Sequence, residues 1–81
     1  MSHNFKNILI VGGSGFVGSI LTDKLLDEGY NLISYDIEIY GQNYSKKALR
    51  NKNFKNIKGD IRDHSLFKTA TKSVDAIIFL A

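Results

Sequence analysis

Three glycines spaced three residues apart, Gly12, Gly15 and Gly18, fit G-x-x-G-x-x-G, and Gly13, Gly15 and Gly18 fit G-x-G-x-x-G. A turn of this kind works with backbone N–H groups rather than side chains. Glycine permits a tight reversal with positive φ and lets the backbone come close to a bound group. The apolar run Asn7–Val11 leads directly into the turn and an amphipathic stretch follows it. In that setting the spacing cradles a pyrophosphate. Gly18 lets the following helix lie near the first strand. The amides of Phe16 and Val17 open that helix, where unpaired N–H groups and the helix dipole favour an anion. A glycine turn of purely structural use is the competing reading. No Gly-Lys-Ser/Thr follows, so a P-loop is excluded.

Two acids complete the set. Asp36 lies 18 residues beyond Gly18, near the ~20 expected of a ribose-binding acid. A carboxylate there accepts both ribose hydroxyls and repels a 2′-phosphate. No Arg or Lys occurs between Asp36 and Ser45 to receive such a phosphate, so NAD(H) is expected over NADP(H). A turn-former or helix cap is the plainer reading of Asp36. Glu38 is expected to be solvated rather than functional. Asp60, in Gly59-Asp60-Ile61-Arg62-Asp63, is placed to accept an adenine amino group, with Ile61 packed on the ring, or else only makes the turn. Asp63 reads as the N-cap of a helix.

The elements that must position these residues follow from periodicity. Asn7–Val11 is a continuous apolar run, as expected of a strand buried on both faces. Phe16–Glu28 reads as a helix with Val17, Ile20, Leu21 and Leu25 on its buried face, and Gly29 supplies a C-terminal stop. Leu32–Tyr35 reads as a second strand, and Ile37–Tyr44 is irregular. Ser45–Asn51 is a short helix and Asn56–Lys58 a brief third strand. After Asp63 a helix presents Leu66, Phe67 and Ala70, and Ala76–Leu80 is a fourth buried strand. Strands alternating with amphipathic helices predict an α/β fold. It is a Rossmann-type doubly wound parallel sheet, β-α-β-α-β-α-β with strand order 3-2-1-4. That is one mononucleotide-binding half plus the first strand of the other, with residues 1–81 as a single unit and no second domain. Leu80 and Ala81 would then lie beside the glycine turn, where a small residue admits the cofactor.

Composition narrows the classes. The chain is 43% hydrophobic and 23% charged, too apolar for a disordered segment. With no Cys, a disulfide framework, thiolate catalysis and a Cys-ligated metal are excluded. His3 and His64 are far apart in sequence, which argues against a His-based metal site. No apolar run approaches the ~20 residues of a membrane span. Met1–Asn7 lacks a signal-peptide core, so a cytoplasmic location is expected. Ser45–Lys58 carries six basic residues and no acid, against five basic and eight acidic elsewhere. Only Phe54 accompanies them, so the stretch reads as a solvated surface and not as a nucleic-acid platform.

Four separated segments, G-G-S-G-F-V-G-S, Y-D, G-D-I-R-D and V-D-A-I-I-F-L-A, together resemble the N-terminal part of extended short-chain dehydrogenases/reductases. The resemblance is to their NAD-dependent epimerase/dehydratase branch, of which UDP-glucose 4-epimerase is typical. It implies NAD contacts from Phe16 and Val17, from Asp36 and the loop beginning at Ile37, from Asp60 and Ile61, and from Leu80 and Ala81. Phe79 departs from the family, which often has His there. The resemblance also implies a base in a Tyr-x-x-x-Lys motif. Tyr30, Tyr35, Tyr40 and Tyr44 are followed four places on by Ser34, Ile39, Tyr44 and Ala48, none of them Lys.

The expectation is therefore the NAD(H)-binding portion of a nucleotide-sugar epimerase or dehydratase, without turnover of its own. A stand-alone, non-catalytic dinucleotide-binding module and a piece of a non-sugar reductase of the same extended family are the alternatives. A nucleotide sugar is expected as partner only of a longer parent, itself a homodimer. Ala76–Leu80, ending a chain on an apolar strand, is expected to self-associate.

Overall fold

The computed structural model describes residues 6–38 and 41–80. Four parallel strands form one sheet in the order β3-β2-β1-β4, the expected winding. They are β1 (Asn7–Val11), β2 (Asn31–Asp36), β3 (Phe54–Lys58) and β4 (Ala76–Phe79). Between them run α1 (Phe16–Asp27), α2 (Lys46–Arg50) and α3 (His64–Thr71). Leu9 pairs with Ile33 of β2 on one side and with Ile77 of β4 on the other.

The central position of β1 explains its unbroken apolar run. Ile8 and Ile10 pack with Leu26 of α1, Leu32 and Ala48 of α2. Leu9 and Val11 point to the opposite face, against Tyr35 and Ala70 of α3. Two side-chain layers therefore meet on one strand, with α1 and α2 above the sheet and α3 below. Leu9 and Ile10 are fully buried, so truncating either to Ala costs about 2–5 kcal/mol.

The helices begin and end where local chemistry dictates. Asp63 caps α3 by accepting the Leu66 N–H at 3.1 Å. Ser45 caps α2 through Ala48 N at 2.9 Å and donates to Asp23 Oδ1 at 2.7 Å, tying α2 to α1. Gly29, at φ 94°, turns the chain out of α1. Asp75 closes the far end of the sheet by accepting the N–H groups of Lys6 and Asn7, each at 3.0 Å, which lowers its pKa.

The buried face of α1 differs from the amphipathic reading. Gly18, Ser19, Thr22 and Leu26 face inward, and Val17 and Ile20 are exposed. The first turn of α1 lies directly on the Gly13 backbone, which leaves no room for a side chain at Gly18 and turns Val17 and Ile20 outward. Leu26 and the expected Leu25 pack on the core further along. Two strands are longer than their apolar runs. β2 takes in Asp36, and β3 starts at Phe54, because parallel pairing of Leu32 with Phe54 and Asp36 with Lys58 extends the ladder.

The two outer strands contrast. β3 carries Lys55 and Lys58 on an exposed edge, charges that discourage further pairing. β4 has no charge, and Ile77 and Phe79 are half exposed.

Candidate functional site

A cavity of about 530 Å³ opens at the carboxyl ends of the strands. That is within the ~300–1,000 Å³ of small-molecule sites. Its wall draws on four separate stretches: the glycine turn, the end of β2 with the loop after it, Gly59–Ile61, and Leu80. In doubly wound sheets ligands bind at this edge, where the winding reverses.

The glycines have different jobs. Gly12 has φ 89°, a left-handed backbone that other residues resist. A Cβ on Gly18 would lie 2.6 Å from the Gly13 backbone, so α1 sits directly against the turn. A Cβ on Gly13 would strike the Ser34 hydroxyl. Gly15 needs neither relief. Its φ is −72°, and an added Cβ would meet only Gly12 O, at 3.9 Å. It is exposed on the cavity wall, so its missing side chain leaves room for something outside the chain.

Asp36 stands beside the turn and is held by it. Its Oδ2 accepts the Ser14 N–H at 3.1 Å and its Oδ1 accepts the Glu38 N–H at 2.7 Å. Both bonds leave further lone pairs on the carboxylate. Glu38, expected in solvent, is half-buried at φ 58°, and its carboxylate accepts from Asn56 Nδ2 at 3.0 Å. The reason is β3, which brings Asn56 alongside. Asn56 Oδ1 in turn accepts from the Tyr44 hydroxyl, which also shares a hydrogen bond with Ser34 Oγ. Burial pushes the Tyr44 phenol up to about 12, against the pull of Ser34 and with help from the charges of Asp36 and Glu38.

On the far wall, Tyr35 is fully buried against Phe67 and donates to Asp60 O at 2.8 Å. Burial raises its pKa, with the charges of Asp63 and Asp60 adding to the effect. The Asp60 carboxylate is gripped by Arg62, Nη2 to Oδ2 at 2.6 Å, and by the Arg62 N–H at 2.9 Å. These bonds hold its pKa at about 2. Asp60 is thus partly committed to the turn, and its free acceptor capacity is smaller than its sequence position suggests.

Gly12, Gly15, Asp36, Ile37, Asp60, Ile61 and Leu80 therefore meet on one cavity. Gly18 lies behind the turn. The side chains of Phe16 and Val17 point to solvent, 74% and 66% exposed. Ala81 lies outside the described residues, as do Ile39 and Tyr40 of the loop. Ser14, Tyr35 and Gly59 also line the cavity without being singled out by the sequence, as do Gly41 and Asn43 of the loop after Asp36, which the resemblance implied only as a whole. Ser14 was legible as an interior position of the glycine pattern. Asn43 had no signal, since its place depends on how the irregular loop folds back.

Comparison with known proteins shows the family and the fold. Residues 8–81 match the profile of the NAD dependent epimerase/dehydratase family. UDP-glucuronic acid decarboxylase 1 of Danio rerio is 40% identical over 77 residues, 94% of this chain and 17% of the relative. A putative UDP-glucose 4-epimerase of Methanocaldococcus jannaschii is 36% identical, over 91% of this chain and 23% of its own length. The chain thus spans less than a quarter of these relatives. Among solved structures, dTDP-glucose 4,6-dehydratase from Bacillus anthracis, in complex with NAD, is similar at a TM-score of 0.82 and 32% identity. That match covers 94% of this chain and 26% of the dehydratase. WbmG of Bordetella bronchiseptica, in complex with NAD and UDP, is similar at a TM-score of 0.77 and 26% identity, over 91% of this chain and 24% of its own.

Proposed function

Because the chain belongs to the NAD-dependent epimerase/dehydratase family, we propose that its 81 residues hold the ADP half of NAD(H) for a nucleotide-sugar epimerase or dehydratase. The observation that carries this reading is the bond between the glycine turn and Asp36, Ser14 N to Oδ2 at 3.1 Å, on the wall of one cavity. Phosphate cradle and ribose acid are thereby locked at a set separation.

The residues fit the cofactor. Gly15 leaves open the space a Cβ would fill. The N-terminal amides of Gly15, Phe16 and Val17 suit a pyrophosphate. Asp36 takes the ribose hydroxyls on its unused lone pairs, and Ile37 borders the ribose. Ile61 covers the adenine face, and Asp60 accepts the adenine amino group with what Arg62 leaves. Leu80, on the cavity wall beyond β4, flanks the cofactor. Asp36 and Glu38 place negative charge where a 2′-phosphate would come, which favours NAD over NADP. When bound, NAD supplies the hydride acceptor.

No tyrosine in this sequence has Lys four places on, so binding without turnover is the expected behaviour of these residues alone. A nucleotide sugar is the substrate of a longer, homodimeric protein that includes this unit. No helix among the described residues is long and apolar enough to cross a membrane, and a cytoplasmic site of action suits a nucleotide cofactor. Titration calorimetry with NAD and ADP tests the reading. Saturable binding of both, with no reduced nicotinamide formed on adding UDP-glucose, is expected. Binding of neither overturns it.

A further inference from the structure

We propose that Asn43 is a positioning residue that locks the Ser14–Gly15 peptide against flipping, and so sets the affinity for pyrophosphate-bearing nucleotides. The inference rests on the dinucleotide reading above.

Ser14 is buried, and its backbone is held at one end by the last residue of β2 and at the other by the loop that follows. Its N–H donates to Asp36 Oδ2. Its carbonyl oxygen accepts two bonds from one residue, from Asn43 N at 3.0 Å and from Asn43 Nδ2 at 3.1 Å. In a trans peptide the carbonyl of one residue and the N–H of the next point in opposite directions. Among the described residues every peptide is trans. Drawing Ser14 O toward Asn43 therefore turns the Gly15 N–H away from that loop.

The lock matters because Gly15 follows. Glycine tolerates either sign of φ, so a flip of this peptide meets little steric resistance. Ser14, Gly15 and Asn43 line the cavity together, so a flip would reverse the N–H and carbonyl directions of a peptide that borders it. An oxygen there repels an anion, and the N–H attracts it. Asn43 is anchored in turn. Its neighbour Tyr44 is buried, hydrogen-bonded to Ser34 and Asn56, and packed edge-on against Phe54 with ring centroids 4.9 Å apart.

The test compares adenosine, ADP and NAD in titrations of the wild-type chain and of Asn43→Ala and Asn43→Asp. Asn43→Ala removes one of the two donors to Ser14 O, and ADP and NAD affinity should fall roughly three- to tenfold. Adenosine affinity should change less than about twofold. Asn43→Asp, which sets a carboxylate against the carbonyl, should weaken ADP further. Asn43 is itself exposed, and melting curves of the variants check that the fold is kept. An equal loss for adenosine and ADP, or a loss tracking a lowered Tm, overturns the proposal in favour of a merely structural role. Unchanged ADP affinity in Asn43→Ala, with a wild type that binds ADP, overturns this inference alone. A wild type that binds neither ADP nor NAD overturns the cofactor reading and this inference with it.

Discussion

The Ser14 N–H donates to Asp36 Oδ2 at 3.1 Å, across 22 positions of sequence. One bond thereby couples the loop after β1 to the end of β2. The chain itself orients the carboxylate through Ser14 and Glu38, so on the proposed cofactor reading a ribose would meet acceptors already in place.

If Asp36 holds the ribose as proposed, replacing it by Ala should remove those acceptors and release the turn from its bond to Ser14. Charge-assisted bonds of ~1.5–3 kcal/mol imply a loss of roughly ten- to a hundredfold in NAD affinity. Calorimetric titration checks this, and unchanged affinity would sink the ribose assignment.

Gly15 and Gly18 should fail in different ways. Gly15→Ala has room in the chain, so Tm should hold and NAD binding should be lost. Gly18→Ala drives a methyl group into the Gly13 backbone, and overpacking of this kind costs ~1–3 kcal/mol. Paired thermal melts and titrations separate the two, and a destabilised Gly15→Ala would show that the glycine serves the fold.

Tyr44→Phe should loosen the loop. It leaves the fully buried Ser34 hydroxyl without that partner, at a cost of roughly 1–3 kcal/mol. Urea denaturation measures this, and a midpoint equal to wild type would count against the buried network.

The Asp60 carboxyl should titrate at about 2, below its ordinary 3.8, through the bonds from Arg62. A depressed folded pKa contributes stability that is fully present above 3.8 and lost as pH falls through about 2. Arg62→Ala should move the carboxyl titration, followed by NMR, up toward the ordinary value. A midpoint near 3.8 in the wild type would mean the pair does not persist in solution.

The β4 edge should drive self-association. Ile77 and Phe79 are exposed at 50% and 56% on a strand that carries no charge. Sedimentation velocity should show concentration-dependent oligomers that Ile77→Lys reduces. A wild type monomeric at all concentrations would end this idea.

Much of the fold is legible because its signals are local. The apolar run of Asn7–Val11 marks a strand covered on both faces, whereas the equally apolar Ala76–Phe79, expected to be buried, is an outer strand with Ile77 and Phe79 half exposed. Ser45 and Asp63 name their helix starts, since a cap bond spans three residues. The glycine spacing, with Asp36 and Asp60 at strand ends, follows from the winding. Periodicity finds only part of the buried face of α1, Leu25 with the half-buried Leu21, because it marks apolar residues, whereas contact with the glycine turn selects a small residue at Gly18.

What the sequence determined by itself is the order of elements, the sheet topology and the family's glycine turn. Each depends on neighbours in the chain or on the handedness of crossovers. Tertiary structure alone decided the partners of the polar groups. Glu38 met Asn56, Ser14 met Asn43 and Tyr35 met Asp60. Those pairs come from segments 18 to 29 residues apart. A hydrogen bond requires alignment within a few tenths of an ångström, and only the packed sheet brings such segments that close.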